Sequence, residues 1–121
     1  MEKELMTETE EKIQALAQHL GLDDEDKENI MENADCFSYY NEEYEVLTDE
    51  EADDRWEEEL NNYIDECVYP EIPEYLRNYF NEERWKDDAR IDGRGHAISR
   101  YDGEENYEEV NGTTYYIYRQ N

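Results

Sequence analysis

The sequence predicts an α+β fold with N-terminal helices, a central amphipathic helix and a small antiparallel sheet that includes a C-terminal β-hairpin. Three observations support this fold class. Apolar residues recur at helical spacing in residues 8–20 and again in residues 48–68. The turn-forming pair Asn111-Gly112 separates two β-rich runs near the end of the chain. Helical and extended segments that do not alternate regularly are typical of this class.

The chain has the length of one domain. Its 121 residues are enough to bury one hydrophobic core, and the sequence shows no internal repeat and no long linker. We therefore expect a single domain over residues 1–121, with a core in residues 41–121. Residues 1–40 are interpreted as a possible N-terminal helical extension.

The first predicted helix covers residues 8–20. Thr7 and Glu10 occupy capping-box positions, and Gly21 lies where a C-terminal cap is usual. A shorter helix is expected at about residues 24–33. The inward-facing residues expected in this part of the chain are Ile13, Leu16, Ala17, Leu20, Leu22, Ile30 and Met31.

A β-hairpin is predicted after these helices. Two β-rich runs, residues 36–40 and 44–47, flank the turn-forming residue Asn41. The hairpin leads directly into the central helix.

The central helix is predicted from its cap and its apolar stripe. Thr48 and Glu51 form a capping box at its start, and the pattern continues to about Val68, before Pro70. The residues expected on the apolar stripe are Ala52, Trp56, Leu60, Tyr63, Ile64 and Cys67.

In the last third of the chain, the sequence predicts further helices, a connecting segment and a β-hairpin. Residues 73–91 have the pattern of one or two helices, with Asn81 as an N-cap. The glycine-rich stretch IDGRGHAISRYDG, residues 91–103, is interpreted as a connection with room for a short strand at residues 96–100. Asn111-Gly112 predicts a two-residue type I′ turn. The core residues expected in residues 73–91 are Leu76, Tyr79, Phe80, Trp85 and Ala89.

Negative charge dominates the composition. The formal net charge is −26, and residues 21–76 alone hold twenty-two acidic and two basic residues. Hydrophobic content of 36% and charged content of 40% are typical of disordered chains, but 13% aromatic residues favour a folded core. A net charge of magnitude about 2–8 is enough for the solubility of a small domain. Solubility alone therefore does not explain this excess.

The acids of the central helix are not explained by local stability. Asp54 and Glu58 are like charges at i, i+4 spacing, and Asp65 and Glu66 lie in the last turn, where the helix dipole disfavours them. Glu51, in the first turn, is favoured there. The acidic face predicted to bind a partner comprises Asp23, Asp24, Asp26, Glu28, Glu32, Glu51, Asp54, Glu57, Glu58, Asp65 and Glu66.

A folded array of carboxylates is suited to bind basic protein surfaces. It attracts them electrostatically, and a large class of such surfaces is built to hold nucleic acid. We predict a non-enzymatic inhibitor of a basic nucleic-acid-binding protein, acting by nucleic-acid mimicry, without direct nucleic-acid binding or membrane association. Two alternatives stay open. The acids form only a solvated surface, or the chain is an accessory protein that assembles through its Tyr-rich C-terminal hairpin, for example as a homodimer.

A metal site is weakly indicated. Asp24, Asp26 and Glu28 alternate as in an EF-hand loop, but Asn29 stands where Gly is required and Asp35 where a bidentate Glu is usual. No metal or cofactor is therefore expected.

The glycine-rich stretch offers the only candidate catalytic cluster. A nuclease or phosphate site there would have no phosphate-loop spacing to support it, and a connection stabilised by Asp and Arg hydrogen bonds is favoured. An enzyme of unknown type is the third interpretation. The polar residues of the stretch are Asp92, Arg94, His96, Ser99, Arg100, Tyr101 and Asp102.

The cysteines and the N-terminal sequence bear on location. Cys36 and Cys67 show no C-x-x-C spacing, so buried thiols in a reducing compartment are expected. No apolar run of about 20 residues and no signal-peptide pattern is present. We expect a cytoplasmic protein.

Four segments give a resemblance to known proteins. The segments that carry the resemblance lie within residues 44–121 and are YEVLTDEEADDRWEEELNNYIDECV, PEIPEYLRNYF, DGRGHAISRYDGEE and YYIYR. This part of the chain resembles small acidic accessory proteins of tailed bacteriophages. In size and charge alone, the chain is similar to phage antirestriction and anti-CRISPR proteins that imitate DNA. The resemblance implies a viral protein that acts in the host cytoplasm. It also implies that the partner of this protein is a host-defence complex that binds nucleic acid.

Overall fold

A five-stranded antiparallel sheet with helices on both faces forms the framework of this α+β protein. The computed structural model describes residues 6–34 and 36–121. The helices are α1 (Glu8–Leu20), α2 (Asp24–Lys27), α3 (Asp49–Tyr63), α4 (Glu82–Arg90) and α5 (Arg94–Ile98). A π-helical turn covers Ile64–Val68, and 3-10 turns cover Tyr69–Glu71 and Glu74–Tyr79. The strands are β1 (Ile30–Glu32), β2 (Phe37–Tyr39), β3 (Glu42–Thr48), β4 (Asn106–Val110) and β5 (Thr113–Arg119), in the order β1-β2-β3-β5-β4.

Helix α1 covers the first face of the sheet. The Thr7 side chain accepts a hydrogen bond from the Glu10 backbone N–H, and Gly21 ends the helix in the left-handed conformation, as predicted. Leu16 of α1 is fully buried beside Val46 and Ile117 of the sheet. The described part of residues 1–40 is therefore integrated into the core and is not an extension of it.

Helices α3 and α5 cover the second face. Successive residues of a strand point to opposite faces, so Ile117 packs on the α1 side and Tyr118 on the other. Ala52 of α3 and Ile98 of α5 are buried against Tyr118, and Trp56 packs against this cluster while remaining half-buried. The Thr48–Glu51 capping box is present at the start of α3, as predicted. None of the helices in the described ranges has the length and apolar character of a membrane-spanning segment.

The predicted helix over residues 24–33 is wrong beyond Lys27. Residues Ile30–Glu32 form a short edge strand instead, because β1 pairs with β2 through Ile30 opposite Tyr39. In a strand, neighbouring side chains lie on opposite faces, so Ile30 is buried and Met31 is 67% exposed. The prediction that Met31 faces inward is therefore also wrong. The predicted hairpin around Asn41 is formed by β2 and β3.

Of the apolar residues predicted to face the core between residues 63 and 80, Ile64 is buried as expected, but four others are exposed. Tyr63, the last residue of α3, is exposed. The π-helical turn after α3 changes the angular register of the side chains within it, and Cys67 on that turn is exposed. Leu76 and Tyr79 are also exposed, Tyr79 to 84%, because they lie on a surface 3-10 turn. Cys67 is thus not the buried thiol that was expected, although both cysteines are free.

Residues 94–98 form helix α5, not the short strand considered for residues 96–100. Gly95 permits this packing, because a Cβ atom at that position would lie 2.7 Å from backbone atoms of Gly103, Glu104 and Glu105. The helix therefore touches the chain that leads into β4. Asn81 caps α4 by accepting a hydrogen bond from the Arg84 backbone N–H, as predicted.

The C-terminal hairpin is the one the sequence predicts. Val110 pairs with Thr113 across the turn, and both turn residues have positive φ, 51° at Asn111 and 83° at Gly112. These signs are the requirement of a type I′ turn.

Replacing Gly112 by Val should destabilise the protein by more than about 1 kcal/mol, since a β-branched residue is strained in the left-handed region. A Cβ atom at Gly112 meets nothing within 4 Å, so the cost comes from the backbone alone. Asn111→Gly is the matched control and should stay within about 0.5 kcal/mol of the wild type. Urea unfolding measures both variants, and an unchanged midpoint for Gly112→Val would contradict the turn assignment.

Candidate acidic binding surface

A cleft of about 860 Å³ brings part of the predicted acidic face together. Residues of α1, β1, β2, β3 and α3 line this cleft, which we call the acidic cleft. Its acidic residues are Glu32, Glu43, Glu45, Glu51, Asp54, Glu58 and Glu59, and its basic residues are Lys12, Arg55 and Arg100.

Four of these carboxylates have no ionic partner among the described residues, and one of them, Glu43, is an exposed residue of β3. Glu32 lies on the edge strand β1, while Asp54 and Glu58 lie one turn apart on α3, and all three are exposed. Like charges at i, i+4 on a helix repel by roughly 0.2–0.5 kcal/mol, so Asp54 and Glu58 do not serve the helix itself. They are available to a binding partner.

The cations of the acidic cleft are largely engaged within the fold. Lys12 Nζ lies 2.9 Å from Glu51 Oε1, and Arg55 Nε lies 3.0 Å from Glu45 Oε1 while its guanidinium also pairs with Glu59. Burial lowers the pKa of Arg55, but its hydrogen bonds and ion pairs with Glu59 and Glu45 outweigh this, and the pKa is raised overall. These pairs hold α3 against α1 and the sheet.

Glu51 is paired within the fold, although its side chain is 42% exposed. It accepts a 3.0 Å hydrogen bond from the Thr48 backbone N–H in addition to its contact with Lys12. Burial raises the pKa of Glu51, but the Thr48 backbone and Lys12 have the larger combined effect, and the pKa is lowered. Glu51, a member of the acidic face predicted from the sequence, therefore has its carboxylate already engaged by Thr48 and Lys12.

Glu57 is likewise paired within the fold, although its side chain is 44% exposed. It accepts hydrogen bonds from Lys86 Nζ at 2.7 Å and from Arg90 Nη2 at 2.9 Å. The hydrogen bond from Lys86, followed by that from Arg90, holds the pKa of Glu57 below its usual range. Lys86 is only 5% exposed, so Glu57 neutralises a buried charge and joins α3 to α4. Its carboxylate is therefore already paired with two cations of the fold, unlike those of Asp54 and Glu58.

The acids of α2 lie outside the acidic cleft. Asp23 caps α2, because its Oδ1 accepts a 2.8 Å hydrogen bond from the Asp26 backbone N–H, and Asp24, Asp26 and Glu28 are exposed. Within residues 6–34 and 36–121, no group of three or more His, Cys, Asp or Glu side chains is placed to hold a metal ion. Asp35, the twelfth position of the EF-hand interpretation, lies outside the described residues.

Asp65 and Glu66 lie on the π-helical turn, where both are exposed. Glu66 lines a second cleft, of about 710 Å³, between the end of α3 and the helices α4 and α5. The acidic face predicted from the sequence did not include the other two unpaired acids of this second cleft, Asp88 and Asp92, although Asp92 was named in the glycine-rich stretch. Their i, i+4 spacing is the same signal that identified Asp54 and Glu58, and it could have found them.

The glycine-rich stretch forms a structural connection, which was the favoured interpretation. The Arg94 guanidinium is surrounded by Asp49, Asp53 and Glu105 and lies 4.6 Å from the centre of the Tyr116 ring. Burial lowers the pKa of Arg94, yet the hydrogen bond to Asp49 and the interactions with Tyr118 and Glu105 raise the pKa overall. An arginine paired with three carboxylates has little capacity left for a phosphate group.

The polar residues after α5 also stabilise the fold. The Ser99 hydroxyl lies 2.9 Å from Asp102 Oδ1 and 2.7 Å from the Arg119 carbonyl oxygen. The Arg119 guanidinium stacks on Tyr101 at 3.8 Å from the ring centre. Each of these groups therefore has a partner that fixes the connection to β5.

Comparison with known proteins assigns no family. No protein-family model, curated protein or solved structure gives a significant match to this chain. The resemblance of residues 44–121 to tailed-phage accessory proteins stays a prediction.

Proposed function

We propose that this protein is a phage-encoded inhibitor of a host-defence protein of the CRISPR-Cas or restriction type, which it binds by imitating nucleic acid. The observation that supports the proposal is the placement of Glu32, Asp54 and Glu58, which are exposed in one cleft without ionic partners among the described residues. Their carboxylates would replace phosphate groups at the basic surface of the partner.

Rigidity favours this role. Asp54 and Glu58 lie on a helix whose start is fixed by a capping box and whose flanks are held by Lys12, Arg55 and Lys86. Carboxylates held in place lose little freedom on binding, so the attraction to a basic groove is retained as affinity. The net charge of −26 also speeds the encounter with a cationic partner.

The proposed inhibitor acts by binding and catalyses no reaction. In the stretch that offered catalytic candidates, Arg94, Ser99 and Asp102 are engaged in contacts within the fold. The location that follows from this proposal is the cytoplasm of the infected bacterium, where such defence proteins act.

The structure gives less support to assembly through the C-terminal hairpin. Tyr115 and Tyr118 are buried, and their hydroxyls donate 2.7 Å hydrogen bonds to Glu11 and Glu105. Tyr107 is 68% exposed, but it lies on the edge strand β4 beside two glutamates, and charged side chains on an edge oppose pairing with another strand.

Reversing two charges in the acidic cleft tests the proposal. Asp54→Lys with Glu58→Lys should leave the melting temperature nearly unchanged, because both residues are exposed and repel each other in the wild type. Affinity for a partner captured from bacterial lysate should fall at least about tenfold at low salt, since like charges would face each other at the interface.

The matched control is Glu104→Lys with Glu109→Lys. Both residues are exposed, lie outside the two clefts and give the same change in net charge. This control should bind the partner within about twofold of the wild type. Equal weakening by both double variants would show that only the net charge affects binding. Wild-type affinity of the Asp54→Lys with Glu58→Lys variant would show that this face is only a solvated surface.

A further inference from the structure

The second cleft has an aromatic wall. Tyr63 and Trp85 stack with ring centres 5.4 Å apart and an angle of 17° between the ring planes. Leu60, which is buried, and Ala89 supply further apolar surface to the cleft. We call this site, between α3, α4 and α5, the aromatic cleft.

Acidic side chains dominate the lining of the aromatic cleft, which also includes His96. Glu66, Asp88 and Asp92 line it, all three are exposed, and none pairs with another described residue. No Lys or Arg is among its described lining residues. This differs from the acidic cleft, where Lys12 and Arg55 already neutralise part of the charge.

The sequence of α4 separates two faces with different roles. Trp85, Asp88 and Ala89 line the aromatic cleft, whereas Lys86 and Arg90, on the other face, are held by Glu57. These two cations are therefore held away from the cleft, and Arg84, the third cation of α4, is not among its lining residues. What remains is a concave site with aromatic surface and uncompensated carboxylates.

We propose that the aromatic cleft binds an arginine side chain of a protein partner. This deepens the proposed function and rests on it, since the arginine is taken to belong to the basic partner. A guanidinium is planar, stacks on aromatic rings and donates two parallel hydrogen bonds to a carboxylate. It therefore matches both the aromatic wall and the carboxylates of the cleft.

Other occupants fit less well. A second copy of this chain would bring a further charge of −26 to an acidic site, which electrostatic repulsion opposes. The described carboxylates are not grouped to coordinate a metal ion. A lysine ammonium offers a positive charge but no planar face, so the aromatic wall favours arginine.

The experiment uses the fluorescence of Trp85. The chain has two tryptophans, and Trp56→Phe leaves Trp85 as the only one. An amidated tetra-arginine peptide is titrated into this variant, and a tetra-lysine peptide of equal charge into a second sample. The arginine peptide should change the Trp85 emission and bind at least about threefold more tightly than the lysine peptide.

Two charge-matched double variants, made in the same Trp56→Phe background, separate the cleft from the overall field. Asp88→Asn with Asp92→Asn should weaken binding of the arginine peptide at least about fivefold, and Glu104→Gln with Glu109→Gln less than twofold. Equal weakening by the two, equal affinity for the two peptides, or binding without a change in Trp85 emission would each overturn the assignment. Because no host protein is present, failure here is distinguishable from failure of the Asp54 and Glu58 variant to lose its partner.

Discussion

Replacing Arg94 by Met should lower the free energy of unfolding by about 2–4 kcal/mol, one of the largest effects expected for a single residue of this protein. The Arg94 side chain is 12% exposed, and its guanidinium lies within 3 Å of Asp49, Asp53 and Glu105. Without it, three carboxylates from different parts of the chain are left close together with no counter-charge. The loss falls below that of a fully buried pair because Asp49 and Asp53 are mostly exposed.

Arg84→Met is the control for this measurement. Arg84 is exposed on α4 and pairs with no other described residue, so its replacement should change stability by less than about 0.5 kcal/mol. Denaturant unfolding at one fixed salt concentration gives both values. Comparable small effects of the two substitutions would show that α5 does not depend on Arg94 for its attachment to α3.

Replacing Trp56 by Ala should lower the free energy of unfolding by about 2–4 kcal/mol, through lost burial and the cavity left behind. Trp56 packs against the cluster of Ala52, Ile98 and Tyr118, which joins α3 and α5 to the sheet. Because Trp56 is partly exposed, we expect a loss of stability toward the lower end of the range known for replacing a core tryptophan by alanine.

Trp56→Phe should cost far less, about 1 kcal/mol or below. The indole Nε1 of Trp56 is buried with no hydrogen-bond partner among the described residues, so phenylalanine keeps aromatic packing and gives up no hydrogen bond. A loss of stability as large as that of the alanine variant would contradict this account and point to a partner for the indole. Thermal and denaturant unfolding of the two variants in parallel make the comparison.

The elements that were predicted correctly are those whose signals are local. The capped helix α1, the Thr48–Glu51 capping box and the Asn111-Gly112 turn each depend on residues within a few positions of one another. Short-range hydrogen bonds and backbone preferences decide such features, so the sequence is sufficient to identify them.

The elements that were missed depend on distant contacts. Ile30–Glu32 is a strand because it pairs with β2. The sequence around Gly95 is typical of a loop, and only the packing of Gly95 against residues 103–105 explains its place in a helix. The π-helical turn Ile64–Val68 breaks the helical register that the apolar stripe assumed. Pairing, close approach and register shifts of this kind leave little trace in local periodicity.

The acidic face shows the same difference between local and distant contacts. That Glu51 would be engaged follows from its capping box, whereas the pairing of Glu57 with Lys86 joins residues 29 positions apart and could not be read locally. Repulsive i, i+4 spacing identified Asp54 and Glu58, which are exposed as expected. Like-charge i, i+4 spacing is therefore the more useful sign of a carboxylate available for binding, here because the neighbouring Arg55 is engaged by Glu45 and Glu59.

A competition titration tests the central claim most directly. The partner captured from lysate is bound to the wild-type chain, and duplex DNA is added at about 50 mM and then about 200 mM salt, a range over which phosphate-like contacts weaken steeply. The account predicts that DNA and this protein displace each other, and that the affinity of the complex falls at least about tenfold across that range. A complex that holds both ligands together, or that keeps its affinity at the higher salt concentration, would contradict nucleic-acid mimicry.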